Sequence, residues 1–88
     1  MKNSIAVFSK ALKAGSDPVA GVMKAIKPGV IGKASYSGDS SITIRGELNL
    51  SFNMLKSLVR VGMQSGIEIH FESKSPDVLV ITVNDSAH

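Results

Sequence analysis

The stretch 40–73, SSITIRGELNLSFNMLKSLVRVGMQSGIEIHFES, changes its hydrophobic period twice and thereby decides the fold. Over 42–50, apolar residues take every second position, the pattern of a β-strand with one buried and one solvated face. The next residues repeat their apolar side chains at helical spacing, with Ser51 suited to cap a helix and Gly66 to end it. Residues 67–73 then alternate again. The stretch predicts a strand, a helix and a second strand.

Both strands have a hairpin partner in the neighbouring sequence. Upstream, KASYS (33–37) and the turn residues Gly38-Asp39 predict a strand that folds back on the first alternating segment. Downstream, the residues of KSPD (74–77) are typical of a turn. The following segment, VLVITV (78–83), is apolar on both faces, which favours a central place in the sheet.

The N-terminal third predicts two short helices instead. Apolar residues recur at helical spacing over 4–14. A second helix has Asp17 as its cap, Pro18 in its first turn and Pro28-Gly29 at its end. These signals together predict a helical hairpin over 1–29.

The predicted fold class is therefore α+β: two short N-terminal helices followed by ββαββ, a four-stranded, largely antiparallel sheet packed on helix 51–65. An 88-residue chain corresponds to one domain, 1–88. Within it we expect the helical hairpin 1–29, the sheet layer 30–83 and a frayed tail 84–88.

The composition excludes several classes of protein. Hydrophobic residues at 43% and charged residues at 19% are typical of a folded globular protein and argue against disorder. The absence of cysteine excludes disulfides, thiolate catalysis and cysteine-ligated zinc. No apolar run approaches the roughly 20 residues of a membrane span. We therefore expect a cytoplasmic protein that does not bind membranes.

The segment IEIHFES (67–73) contains the one cluster that resembles a metal or acid–base site. Glu68, His70 and Glu72 alternate, so they share one face of a strand. Successive members are about 7 Å apart along the backbone, too far to converge on one ion. The sequence offers no second internal histidine to complete a site. The cluster is therefore interpreted as the solvated face of the sheet, with no metal and no cofactor.

Motifs of enzymes are also missing. The segment KPGVIGKAS (27–35) has glycines and a lysine, but their spacing is not that of a phosphate-binding loop. No serine lies in a nucleophile elbow. We expect a protein without enzymatic activity and without a small-molecule substrate.

Nucleic-acid binding is an alternative that the charge distribution keeps open. Residues 1–45 carry seven basic and two acidic residues, a net charge of +5, whereas 46–88 carry three basic and five acidic, a net charge of −2. Only two arginines and 5% aromatic residues argue against sequence-specific readout. The candidate nucleic-acid contacts are Lys10, Lys13, Lys24 and Lys27.

Contact with a protein partner is the main functional prediction. Helix 51–65 has an apolar arc broader than one sheet surface can cover, and methionine, present four times, adapts to partners. An open sheet edge invites pairing across a two-fold axis. We expect a regulatory or inhibitory protein that acts by surface contact with a macromolecular protein partner, and a homodimer. The candidate partner-binding residues are Arg45, Glu47, Lys56, Arg60, Gln64 and His70.

Overall fold

The computed structural model describes residues 4–85 and has the predicted α+β order of elements. The helices are α1 (Ser4–Lys13), α2 (Pro18–Ile26), which continues into a single 3-10 turn at Lys27–Gly29, and α3 (Phe52–Gln64). The strands are β1 (Val30–Ser37), β2 (Ser41–Leu48), β3 (Ile67–Ser75) and β4 (Val78–Asp85).

The four strands form one sheet in the order β1-β2-β4-β3, and every neighbouring pair is antiparallel. Strand β4 therefore lies between β2 and β3, which run parallel to each other and are joined by α3. The interior position of β4 agrees with its apolar residues on both faces. Because β4 occupies the place beside β2, strand β3 becomes an edge of the sheet, as does β1.

The predicted caps form the helix ends. Asp17 Oδ1 accepts a hydrogen bond from the Val19 amide at 3.1 Å, and Ser51 Oγ accepts one from the Met54 amide at 3.1 Å. After α1, Gly15 adopts φ +75° in a Schellman turn. In that turn the amides of Gly15 and of the next residue donate to carbonyls in the last turn of the helix.

The hairpin of β1 and β2 contains a glycine pair. Gly32 lies directly opposite Gly46, and both have positive φ, +129° and +116°. A Cβ on Gly46 would overlap the carbonyl oxygen of Ile31, and one on Gly32 would overlap that of Arg45. The two backbones approach each other at a distance that only glycine permits. Gly46 therefore marks a close approach between β1 and β2.

The core lies between the helices and one face of the sheet. Its largest fully buried side chains come from all three helices and from the two inner strands: Phe8, Val22, Ile26, Ile42, Ile44, Leu58 and Ile81. Phe8 of α1 packs against Gly21 of α2, where the absence of a side chain lets the two helices approach closely. No polar or charged side chain of the described part of the chain is buried. The fold is therefore stabilised by apolar packing, as expected for a chain without cysteine.

The end of the sheet differs from the prediction. Asn84 and Asp85, predicted as the start of a frayed tail 84–88, extend β4 and pair with Glu68 and Ile67. Pairing with β3 continues the ladder by two residues beyond 83; residues 86–88 lie outside the described part. Within 4–85, no helix has the length and apolar character needed to cross a bilayer.

Candidate partner-binding groove

A groove with a volume of about 730 Å³ lies between one flank of α3 and the edge strand β3. Its floor is apolar and is formed by Phe52, Leu55, Val59, Met63 and Phe71. Three of these side chains are well exposed: Phe52 at 74%, Met63 at 66% and Phe71 at 37%. We call this feature the α3–β3 groove.

The groove exists because the apolar arc of α3 is wider than the part of the helix that the sheet covers. Leu58 is 1% exposed, and Gly62 meets Ile69 so closely that an added Cβ would lie 3.1 Å from Ile69 Cδ1. At about 100° per residue, Phe52 and Met63 lie roughly 80–100° around the helix from Gly62. That flank has no strand beneath it, because the sheet ends at β3.

Phe71 supplies the strand side of the groove. It lies directly opposite Ile81, a fully buried residue of β4, and so shares the core-facing side of the sheet. On its other side the edge strand has no neighbour among residues 4–85. Phe71 thus belongs to the apolar layer on the core-facing side of the sheet, and this layer ends at the edge strand.

The rim of the groove is cationic. The predicted contact residues Lys56, Arg60 and Gln64 are exposed and follow one another at successive turns of α3. Lys56 Nζ lies 5.2 Å from the ring centroid of Phe52, a cation–π contact. The two ion pairs found in the described residues both belong to β3, so neither rim cation has a carboxylate partner there.

The other three predicted contact residues lie on the opposite face of the sheet. Arg45, Glu47 and His70 are exposed on its outer face, and β4 separates the strand of Arg45 from that of His70. The six residues therefore form two surfaces, and only the set on α3 belongs to the groove. The apolar floor, above all Phe52, Met63 and Phe71, was missed by sequence reasoning. The width of the apolar arc was its one visible signal.

The outer face of β3 is a stripe of paired charges. His70 Nε2 lies 3.0 Å from Glu68 Oε1, and Lys74 Nζ lies 3.3 Å from Glu72 Oε1. Lys74 is the residue that bulges where β3 shifts register against β4, and its ammonium group contacts Glu72 of the outer face. No group of three or more residues within 4–85 could hold a metal ion.

The four candidate nucleic-acid contacts are exposed at the ends of the helical hairpin. Lys10 and Lys13 lie in the last turn of α1, and Lys24 and Lys27 at the end of α2. None of the four forms an ion pair with another described residue.

Comparison with known protein families, curated proteins and solved structures finds no match to this chain. The candidate function therefore follows from the geometry and chemistry of the groove.

Proposed function

We propose that this protein has no enzymatic activity and regulates or inhibits a macromolecular protein partner by surface contact at the α3–β3 groove. The observation that carries the proposal is the exposure of Phe52, Met63 and Phe71 beside one another. Clustered apolar side chains within a polar rim are typical of protein interaction sites on otherwise polar surfaces. Aromatic residues and arginine supply a large share of the binding energy at such sites.

The chemistry of the groove supports binding over catalysis. Its polar side chains are Lys56, Arg60 and Gln64, and the described residues that line it include no carboxylate, histidine or hydroxyl group. Such a groove lacks the histidine and carboxylate side chains that most often act as general bases. The apolar floor is complementary to a protein surface that presents apolar side chains of its own.

Site-specific photo-crosslinking in cells that express the protein tests the proposal. The photoreactive residue p-benzoylphenylalanine replaces Phe52, which is 74% exposed and therefore tolerates a larger aromatic group. The matched control places the same residue at Ile31, which is 54% exposed on the opposite edge strand β1. We expect irradiation to yield protein adducts from position 52 and far fewer from position 31.

The mass of the adduct identifies what occupies the groove. An adduct of twice the monomer mass is a second copy, and any other discrete protein adduct is a different partner. Equal yields at the two positions, or no protein adduct at position 52, would contradict the proposal.

Nucleic-acid binding by the N-terminal helices is the second candidate, favoured by the exposure of four lysines without carboxylate partners among the described residues. Binding to generic duplex and single-stranded DNA is measured over a salt series. A steep loss of affinity with rising salt, together with weaker binding by the double variant Lys10→Gln/Lys13→Gln, would support it. No binding at low salt would exclude it.

A further inference from the structure

We infer that the occupant of the α3–β3 groove is a second copy of this chain, which pairs its β3 antiparallel with β3 of the first copy across a two-fold axis at Phe71. The inference rests on the proposed function, that the groove binds protein, and it names the partner. Strand β3 is an edge strand, and its outward backbone groups are available to continue the sheet. Two such edges would join into one eight-stranded sheet.

Symmetry restricts how two β3 strands can pair. A two-fold axis that relates adjacent antiparallel strands is perpendicular to the sheet, so one residue lies opposite its own copy and the core-facing sides coincide. Strand β3 spans Ile67–Ser75, and its middle residue is Phe71. Lys74 is a bulge residue, so the regular part of the strand is 67–73 and the length of the ladder alone does not select the centre.

The charges of the outer face select Phe71 as the centre. With the axis at Phe71, Glu68 lies opposite Lys74 of the second copy, and His70 lies opposite Glu72 of the second copy. All four charged or titratable residues of the stripe then face a complementary group, and each pair occurs twice. Moving the axis by one residue to 70 places Glu68 opposite Glu72, and moving it to 72 places Glu72 opposite itself. Like charges directly opposite each other destabilise a sheet.

The core-facing side adds apolar contact to this register. Phe71 lies opposite Phe71 of the second copy, and Ile69 lies opposite Ser73. The two α3 helices are on the same side of the joined sheet, one on each side of the axis, and their exposed flanks with Phe52 and Met63 face each other. The side chains that are most exposed along this edge in the single chain are thus the ones that the pairing covers.

The opposite edge lacks such complementarity. Strand β1 carries Lys33 as its one charged residue, and no carboxylate that could face it in a symmetric pair. In a symmetric pair of β1 strands Lys33 would face no carboxylate, whereas in the β3 pair Lys74 faces Glu68. The chain therefore closes as a dimer through β3 and does not extend through β1.

A charge-swap series measured by sedimentation equilibrium tests the pairing. The wild type should reach twice its monomer mass of 9.2 kDa as its concentration rises from micromolar to submillimolar. Glu68→Lys or Lys74→Glu alone should raise the dimer dissociation constant by about 5- to 30-fold, because each replaces two attractive pairs by two repulsive ones. The matched control Lys33→Glu, on the other edge, should leave it unchanged.

The double variant Glu68→Lys/Lys74→Glu separates pairing from a local structural effect. Within one chain the exchange brings an ammonium group next to His70 and a carboxylate next to Glu72, so both contacts of the stripe become unfavourable or are lost. Between chains it restores opposite charges. Recovery of dimerisation in the double variant therefore supports the inference, and an additive loss overturns it.

A cysteine scan tests the centre of the register. Because the chain contains no cysteine, Phe71→Cys introduces a thiol that lies opposite its own copy. His70→Cys and Glu72→Cys place their thiols opposite other residues. Under mild oxidation, the disulfide dimer should form fastest from Phe71→Cys, and faster formation from either control would overturn this register. A wild type that stays monomeric while position 52 crosslinks to another protein would overturn the dimer and leave the proposed function standing.

Discussion

Replacing Gly46 by alanine should destabilise this protein far more than the same replacement of Gly38. Both glycines have positive φ, +116° at Gly46 and +72° at Gly38, so both substitutions strain the backbone. The space around them differs. A Cβ on Gly38 meets nothing within 4 Å, whereas one on Gly46 overlaps the Ile31 carbonyl oxygen of the neighbouring strand.

Backbone strain and steric overlap together determine the loss of stability. Gly38→Ala carries the left-handed penalty alone, about 1 kcal/mol. Gly46→Ala carries a larger backbone strain outside the left-handed region, and β1 must also move away from β2, for a total of about 3 kcal/mol or more. A domain of this size has a free energy of unfolding of about 4–13 kcal/mol, so the second loss is a large share of the whole.

Urea denaturation followed by far-ultraviolet circular dichroism measures both losses. With a denaturant slope of about 1 kcal/mol per molar for a small domain, the midpoint should fall by about 1 M for Gly38→Ala and about 3 M for Gly46→Ala. Equal shifts would refute the reasoning, because Gly46 would then have no closely approaching strand, and the register that pairs it with Gly32 would be wrong.

Three further substitutions test the core, a helix cap and the groove. Phe8→Ala removes a fully buried side chain and should lower the free energy of unfolding by about 3–5 kcal/mol, whereas Phe52→Ala, at a 74% exposed position, should lower it by less than about 1 kcal/mol in the same urea assay. Asp17→Ala removes the acceptor for the Val19 amide and should lower the free energy of unfolding by about 1 kcal/mol, with Asp39→Ala in the β1–β2 turn as the near-neutral control. Met63→Glu should leave the urea midpoint within about 0.5 M of wild type, because Met63 is exposed, but should abolish crosslinking from position 52; retained crosslinking would show that the groove is not the contact surface.

The capping residues and the hydrophobic periodicity were sufficient to predict the individual helices and strands. Asp17 and Ser51 accept the hydrogen bonds that their positions predict, and the alternation over 42–50 places Ile42 and Ile44 in the core. These features depend on residues within a few positions of each other along the chain. For that reason α3 begins one residue after its predicted cap.

The groove could be predicted in part. Lys56 and Arg60, which the sequence suggested as contact residues, lie on the rim of the groove. The grouping of these residues with Arg45 and His70 was not reproduced, because the latter two point to the other face of the sheet. The apolar floor of the groove was not predicted, because alternation assigns Phe71 to the core-facing side of β3, yet Phe71 is 37% exposed.

What the sequence by itself determined is the local structure: the types of the elements, their caps, and which side of β2 and of β3 faces the core. Apolar residues on both faces of β4 favoured an interior position for it, but only the tertiary structure decided which strand lies on its second side and thus the order of the strands. Strand β4 pairs with β2 through contacts such as Ile42 with Ile81, residues that are far apart in the chain, and this pairing displaces β3 to the edge. Alternation fixes the face of a strand but not its neighbour, since the choice of neighbour depends on how three helices and four strands together bury the most apolar surface. The edge position of β3, and with it the exposure of Phe71 beside Met63, is a consequence of that choice.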